Sequence, residues 1–386
     1  MSEIVKLGDV CKFKRGLTYS KKDEVDYSKN IVVRATNINL ENNKLNLSEL
    51  KYIIESINID ENKILRKGDI LICTASGSKS HLGKVALIDK DIKMAFGGFM
   101  GVLRTSKKCL PKFLYNILIS QEFKKILLSN ADGANINNLR FSQIESFEFI
   151  LPPINEQQRI VAKLDAAFAE IDKTISLTKQ KKIEEKNIKL SILKSIFSIN
   201  NSQKTIGKIA TVIAGQSPEG KYYNKTAEGI PFYQGKKEFG DYELKKPNVW
   251  TTKTTKVSLK GDVLLSVRAP VGETNINNEK ICIGRGLAAI RANKECNSEF
   301  IYYFLNSIKD KIVGNTGAVF NSINKKQIED IIIPAPSSDE QTQIVNKIKS
   351  IFSLMNEINL LTKQKLDNLN ILKSSILKQE LRNKAA

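Results

Sequence analysis

The sequence predicts an α+β protein: two mixed α/β modules separated by two long antiparallel helices that form a coiled coil, arranged as an internal pseudo-two-fold repeat. Three observations predict it. First, Glu156-Gln157-Gln158-Arg159-Ile160-Val161 returns as Glu340-Gln341-Thr342-Gln343-Ile344-Val345, and Thr178-Lys179-Gln180-Lys181 returns as Thr362-Lys363-Gln364-Lys365, both 184 positions on. That offset runs without a gap from Gly133/Gly317 to Lys194/Lys378, with about 23 identities in about 62 aligned positions, where roughly four are expected by chance. Second, both repeated stretches carry apolar residues at heptad spacing. Third, the segments between them read as short strands broken by turns.

Taken in order, the boundaries are 1–154 for the first module, 155–200 for the first long helix, 201–337 for the second module and 338–386 for the second long helix. The first module holds candidate strands Ile31-Val32-Val33, Ile70-Leu71-Ile72 and Lys84 to Ile88, and a helical stretch from Lys112 to Leu128. Its counterpart holds Val263 to Val267, Ile281-Cys282-Ile283 and a helical stretch from Ser298 to Val313. Lys67-Gly68-Asp69-Ile70-Leu71 matches Lys260-Gly261-Asp262-Val263-Leu264, but Leu7-Gly8 matches Ile206-Gly207 at a different offset. The helical parts kept their length while the modules changed theirs, as expected of a rigid spacer carrying two variable modules.

For the first helix, Asn155 reads as the N-cap with Gln158 completing a capping box; for the second, Ser338 and Gln341 do the same. From Glu156 to about Phe197 is some 42 residues, on the order of 60 Å if continuous. The predicted seams are Ile160, Leu164, Ala167, Ile171, Thr174, Thr178, Lys181, Glu185, Ile188 and Ile192 in one copy, and Ile344, Ile348, Ile351, Met355, Ile358, Thr362, Lys365, Leu369, Leu372 and Ile376 in the other, with the register left open near the middles, where Leu177, Ile183, Leu361 and Leu366 offer a shifted stripe. Neither stripe is buried by its own helix, so the two pair, and a module that returns the chain between them makes the pairing antiparallel.

At 386 residues and 41% hydrophobic the chain has enough apolar content for two cores. Sixty-one Lys+Arg against 41 Asp+Glu leave a net +20, spread over both halves; such a balance favours a polyanion as partner. Cys11, Cys73, Cys109, Cys282 and Cys296 show no Cys-x-x-Cys spacing, which predicts reduced thiols, no structural zinc and a cytoplasmic location. His81 is the only histidine, which argues against histidine metal sites, Ser-His-Asp triads and histidine general bases. With no apolar signal core and no run of 18 apolar residues, no membrane association is expected.

A strand ending in Leu151-Pro152-Pro153 or Pro334-Ala335-Pro336, then Glu-Gln-x-x-Ile-Val opening a long helix, occurs twice and follows a Lys-Gly-Asp module each time. This order resembles the specificity subunit of type I restriction-modification systems over essentially the whole chain. The resemblance implies that the modules are target recognition domains, each reading half of a split site in double-stranded DNA, with the helices fixing their separation. It implies a non-catalytic chain with no cofactor of its own. Its partners would be two methyltransferase subunits that use S-adenosylmethionine on adenine, and restriction subunits that use ATP with magnesium to translocate and cut DNA.

DNA readers should lie on polar loops, with Lys and Arg for phosphates and amide or Arg side chains for base edges. In the first module the candidates are Lys14, Arg15, Tyr19, Lys21 and Lys22; Arg34, Thr36 and Asn37; Ser76, Ser78, Lys79, Ser80 and His81 with Lys84; and Asn135 and Asn137. In the second they are Gln216, Lys221, Tyr222 and Tyr223; Gln234, Lys236 and Lys237; Arg268; Arg285; and Asn315 and Asn321. Arg268 and Arg285 interrupt apolar runs, as DNA readers or as buried ion-pair partners.

Two segments imitate other chemistry. Phe96-Gly97-Gly98-Phe99-Met100-Gly101 has the look of a cofactor loop, yet it aligns with Gly284-Arg285-Gly286-Leu287 and reads as a strand bend. Leu151-Pro152-Pro153-Ile154 lacks the leading amide or carboxylate and the following aromatic of an amino-methyltransferase motif. No Gly-x-x-x-x-Gly-Lys-Ser/Thr occurs, so nucleotide hydrolysis is not expected. Asp69 and Asp262 read as turn residues. The competing class is a basic coiled-coil adaptor without sequence-specific DNA binding.

Overall fold

The computed structural model describes residues 2–76, 81–129, 139–198, 202–313 and 322–382. The chain divides into two compact units, Met1–Leu177 with Gln364–Ala386, and Thr178–Lys363. Each unit therefore holds one module and the halves of the two long helices that pack on it. The architecture is α+β, as the sequence predicts.

In the first unit an antiparallel sheet runs in the order Cys11–Arg15, Met100–Thr105, Ile70–Cys73, Val85–Leu87. Ile70, Leu71, Ile72 and Cys73 are all fully buried because both faces of their strand are covered. Ile70 and Ile72 face one core with Leu103 and Phe113, while Leu71 and Cys73 face another with Val33 and Phe96. A second sheet, Glu24–Val25, Lys51–Ile53, Asn30–Val33 and Ala95–Phe96, leads directly into the first through the bend at 97–99.

The second unit repeats the plan. Ala210–Ala214, Leu287–Ala292, Val263–Ser266 and Thr274–Ile276 form the antiparallel sheet, and Ile281–Ile283 enters it through the bend at 284–286. Val263 and Leu265 face one core and Leu264 another. In both units a short ribbon, Glu3–Lys6 with Glu148–Leu151 and Gln203–Thr205 with Ile332–Pro334, brings the start of the module beside the strand that enters the long helix. The candidate helix Lys112 to Leu128 is two helices, Pro111–Leu118 and Gln121–Ser129; its counterpart is Ser298–Ser307 and Lys309–Val313.

Duplicated residues turn out to be the frame. Gly68 and Gly261 adopt φ of 89° and 90°, a left-handed turn that favours glycine. The aspartate after each is 3% exposed and does more than turn the chain. Asp69 caps the Arg66 amide and takes two bonds from the Arg104 guanidinium at 2.8 and 3.1 Å; Asp262 caps the Leu259 amide and takes two from Arg291 at 2.9 and 2.8 Å. Both pairs tie the turn to a sheet strand, and bidentate geometry with satisfied carboxylate oxygens is what makes such a pair favourable.

The second residue of the Glu-Gln motif is a lock. Gln157 is fully buried; its Oε1 accepts from the Leu110 amide, and its Nε2 donates to the carbonyls of Lys108 and Pro152. Gln341 repeats this with the Asn297 amide and the Pro336 carbonyl. Each Gln fastens its helix to the loop entering the module's own short helix.

The long helices run Ile154–Phe197 and Ser338–Arg382. Both caps differ from expectation. The first helix starts at Ile154, with Glu156 and Gln157 amides donating to the Pro153 carbonyl, so Asn155 lies inside the first turn. The second is capped by Ser337, whose amide and hydroxyl donate to the Glu340 carboxylate, one residue before the expected Ser338/Gln341 box.

Within each unit the helix halves pack antiparallel. Lys163 meets Glu380 at 2.6 Å and Asp172 meets Lys373 at 2.7 Å in the first; Glu185 meets Asn359 at 2.6 Å and Lys189 meets Asn356 at 3.2 Å in the second. The seam departs from the predicted one at alternate positions. Ile188, Ile358 and Leu372 are 49%, 59% and 48% exposed, and Lys181 and Lys365 are exposed. Lys189, Asn359, Leu366 and Lys373 take the inner places instead. The long lysine stems make this workable, with the Lys373 ammonium 4.8 Å from the Phe168 ring and that of Lys189 5.6 Å from the Phe352 ring.

Candidate nucleic-acid interface

The first unit's bend and the loops beside it enclose an open cleft of about 770 Å³. Seven of the candidate readers line it: Arg15 from the end of a sheet strand, Tyr19 and Lys21 from the following turn, Arg34 and Thr36 from the turn after Asn30–Val33, and Ser76 and His81. The sheet strand ends at Arg15 and passes so close under the bend that a Cβ on Gly16 would lie 1.9 Å from the Gly97 carbonyl oxygen. That close approach brings both loops to one wall.

Among the charged side chains of the lining, cations outnumber carboxylates: Arg15, Lys21, Arg34 and Lys51 against one glutamate. The one carboxylate there, Glu24, pairs with Lys51 at 2.9 Å, and the bond from Lys51 holds it below the usual carboxylate range. The Arg15 guanidinium lies 6.0 Å from the centre of the Phe141 ring. Burial pushes the Tyr19 hydroxyl up against the opposing pull of Arg34, so it stays a neutral donor. Arg34 Nε is buried and has no hydrogen-bond partner among the described residues.

Two candidates are corrected by their burial. Asn37 is 2% exposed; its side chain accepts from the Arg34 amide and donates to the carbonyls of Asn46 and Glu49, so it shapes the loop from inside. Lys84 is 4% exposed and donates to the Ile38 carbonyl at 2.9 Å, and burial lowers its pKa. Neither side chain is exposed to solvent. Lys14 is half-buried on its strand and Lys22 is exposed at the turn. Ser78, Lys79, Ser80, Asn135, Asn137, Asn315 and Asn321 lie outside the described residues.

In the second unit Gln216 and Arg285 sit on the same two segments as Leu17 and Gly98 in the first. The Gln216 amide donates to the Ile283 carbonyl, as Leu17 does to Phe96, and a Cβ on Gly215 would lie 2.2 Å from the Gly284 oxygen. Gln234, Lys237, Arg268 and Arg285 are exposed. Neither arginine is a buried ion-pair partner, and among the described residues neither has a carboxylate within salt-bridge distance. Lys221 pairs with Glu219, and the Tyr222 ring is flanked by the Lys221 and Lys253 ammonium groups at 5.2 and 5.1 Å.

Two further candidates are tied into the fold. Tyr223 stacks on Phe232 and donates its hydroxyl to the Pro218 carbonyl. Lys236 shares Glu273 with Lys309 at 3.3 and 2.8 Å, and these ion pairs keep the Glu273 carboxyl below its usual range although burial opposes them. Phe99 and Lys51 also line the cleft and Lys253 flanks Tyr222, although the sequence reading does not single them out. Phe99 stands on the aligned bend itself, so the available signal was the bend's difference between the two copies.

Among the described residues no group of three or more His, Cys, Asp or Glu is placed to hold a metal ion, and no helix is long and apolar enough to cross a membrane. All five cysteines are free thiols.

The family described as Type I restriction modification DNA specificity domain matches residues 2–186 and 199–369. The putative type I restriction enzyme MjaX specificity subunit of Methanocaldococcus jannaschii is 34% identical over 394 residues, covering 95% of this chain and 90% of that one. The StySPI specificity subunit of Salmonella potsdam is 25% identical over 406 residues, covering 95% and 86%. The HsdS subunit of Thermoanaerobacter tengcongensis superposes with a TM-score of 0.60 at 25% identity, over 99% of this chain and 96% of that. A chain solved in work on complex assembly and conformational transition of the type I R-M system gives 0.76 at 26% identity, over 99% and 97%.

A duplicated sheet frame with a cationic, loop-built surface defines a nucleic-acid-reading protein, and this chain belongs to the type I restriction-modification specificity subunit family. It is the DNA specificity subunit of such a system and is itself non-catalytic; cofactors belong to partner subunits.

Proposed function

We propose that the module within 1–154 and the module within 201–337 each read one half of a bipartite, asymmetric site in double-stranded DNA, and that the paired helices set the distance between the halves. The observation that carries this reading is one frame mounted twice with different side chains on display. The Asp–Arg pair, the buried Gln and the glycine under the bend are duplicated, whereas the residues facing solvent around that bend are not. A duplicated frame with unlike faces is what reading two unlike sequences requires.

In this reading two methyltransferase subunits dock on the helices, one near each module, and supply S-adenosylmethionine chemistry; restriction subunits supply ATP and magnesium-dependent steps. The outward row Leu354, Ile358 and Leu361, each more than half exposed, suits such a partner. The whole would work in the cytoplasm, where DNA is accessible and thiols stay reduced.

The test is to insert seven residues, one heptad, into both helices near Gln180 and Gln364. This adds ~10 Å per helix, equivalent to about three base pairs of DNA. Sequencing of methylated adenines should then show the same two half-sites with a longer unread gap. An unchanged gap in an assembled, active complex would refute the ruler.

A further inference from the structure

On the same bend, one position apart, the first unit displays an aromatic ring and the second a guanidinium. Phe99 is 73% exposed, at the rim of the cationic cleft, on the bend Gly97-Gly98-Phe99. The equivalent bend is Gly284-Arg285-Gly286: Gly97 donates to the Val33 carbonyl as Gly284 does to Tyr233, and the bends lead into Met100, paired with Cys73, and Leu287, paired with Ser266, so that Arg285 matches Gly98 and Gly286 matches Phe99.

The ring is not on a loose loop. The Phe99 carbonyl accepts from the Thr74 amide, the Thr74 hydroxyl and the Ala75 amide at 2.9, 3.0 and 3.2 Å, and the Met100 amide closes the turn onto the Gly97 carbonyl at 2.8 Å. The two residues before it have no side chains that could cover the ring, and the strand end at Gly16 meets the bend without obstruction. The hydrogen-bonded bend thus presents an exposed apolar ring at the rim of a cleft whose charged side chains are mainly cations, beside groups suited to hold phosphates. Polyanion-binding surfaces use such a residue as an apolar wedge that enters between base pairs and unstacks them, while neighbouring cations hold the phosphates.

Building on the function proposed above, we infer that Phe99 inserts at a base-pair step within the half-site read by the first module, and that the second module reads its half without a wedge, through Arg285. Specificity at the wedged step then comes from the ease with which that step unstacks.

The test uses the chain assembled with its methyltransferase subunits and duplexes carrying its methylated site, with 2-aminopurine placed in turn at each step of both halves. Leaving aside the methylated adenine and its neighbours, which the methyltransferases unstack in both halves, wild type should raise 2-aminopurine fluorescence several-fold at one further step of the first half and at none of the second. Phe99→Ala should abolish that signal and weaken specific binding roughly tenfold, while Phe99→Leu, which keeps an apolar wedge, should retain most of both. Arg285→Ala serves as the control: it should weaken binding with the signal intact. The wedge is overturned if Phe99→Ala leaves the signal and affinity unchanged, or if it weakens only assembly with the methyltransferase. If wild type shows no sequence preference at all, the function proposed above fails first and the wedge with it.

Discussion

The bends at 97–99 and 284–286 occupy the same turn of two related sheets, and they teach what duplication kept and what it released. The strand end that crosses each bend leaves no room for a Cβ, 1.9 Å from the Gly97 oxygen at Gly16 and 2.2 Å from the Gly284 oxygen at Gly215, so both glycines persist. The one side chain each bend sends outward is free of that constraint, and it is Phe99 in one unit and Arg285 in the other. Interior residues answer to packing and hydrogen bonding; the outward residue answers only to what it meets.

The comparison breaks most directly at the frame, where the two copies should respond alike but not equally. Asp69→Ala leaves Arg104, whose side chain is 19% exposed, without its carboxylate, and about 3–5 kcal/mol of stability should be lost. Asp262→Ala leaves Arg291, at 37% exposed, able to rehydrate, and about 2 kcal/mol should be lost. Hydrogen exchange in Met100–Thr105 and Leu287–Ala292 reads the two separately. Equal losses would mean that burial does not set the difference.

The Gln locks come next. Gln157→Ala orphans one amide and two carbonyls, against one amide and one carbonyl for Gln341→Ala. Expected costs are about 2–3 and about 1–2 kcal/mol, measured by urea unfolding. At the surface, Arg285→Ala should weaken DNA binding by about 1–3 kcal/mol, and by binding isotherms across salt it should reduce the salt slope by about 1 only if Arg285 neutralises a phosphate. An unchanged slope with relaxed sequence preference would place Arg285 on a base edge and sharpen its contrast with Phe99.

The smallest effect concerns thiols. Burial pushes Cys11 and Cys109 in the first unit up to about 12 and Cys296 in the second up to about 11. A raised thiol pKa leaves less thiolate at any working pH, and Cys296 is partly exposed while the other two are buried, so native-state alkylation at pH 8 should label Cys296 faster than either. Mass spectrometry of alkylated peptides checks it, and faster labelling of Cys11 or Cys109 would contradict the packing of the first core.

The repeat, the helices and the buried strands were legible because each rests on periodicity that packing enforces. The seam was mis-set at alternate positions because apolar residues occur in both phases of the heptad. Ile358 and Leu372 look like core, yet Asn359 and Lys373 turn inward, where Glu185 and Asp172 meet them. Caps shifted by one or two residues because Pro153 and Ser337 supply the first contacts. Asn37 and Lys84 looked like readers because polarity in a loop does not reveal whether it serves solvent or the loop's own carbonyls. Phe99 escaped notice because an aromatic between glycines reads as packing until its exposure is known.

The most direct test of the account is single-molecule sequencing of methylated adenines in cells that express this chain with its methyltransferase partner. Two unlike readers on one duplicated frame predict a split, asymmetric motif that vanishes when the chain is deleted. A continuous or palindromic motif, or methylation that persists unchanged without the chain, would contradict it.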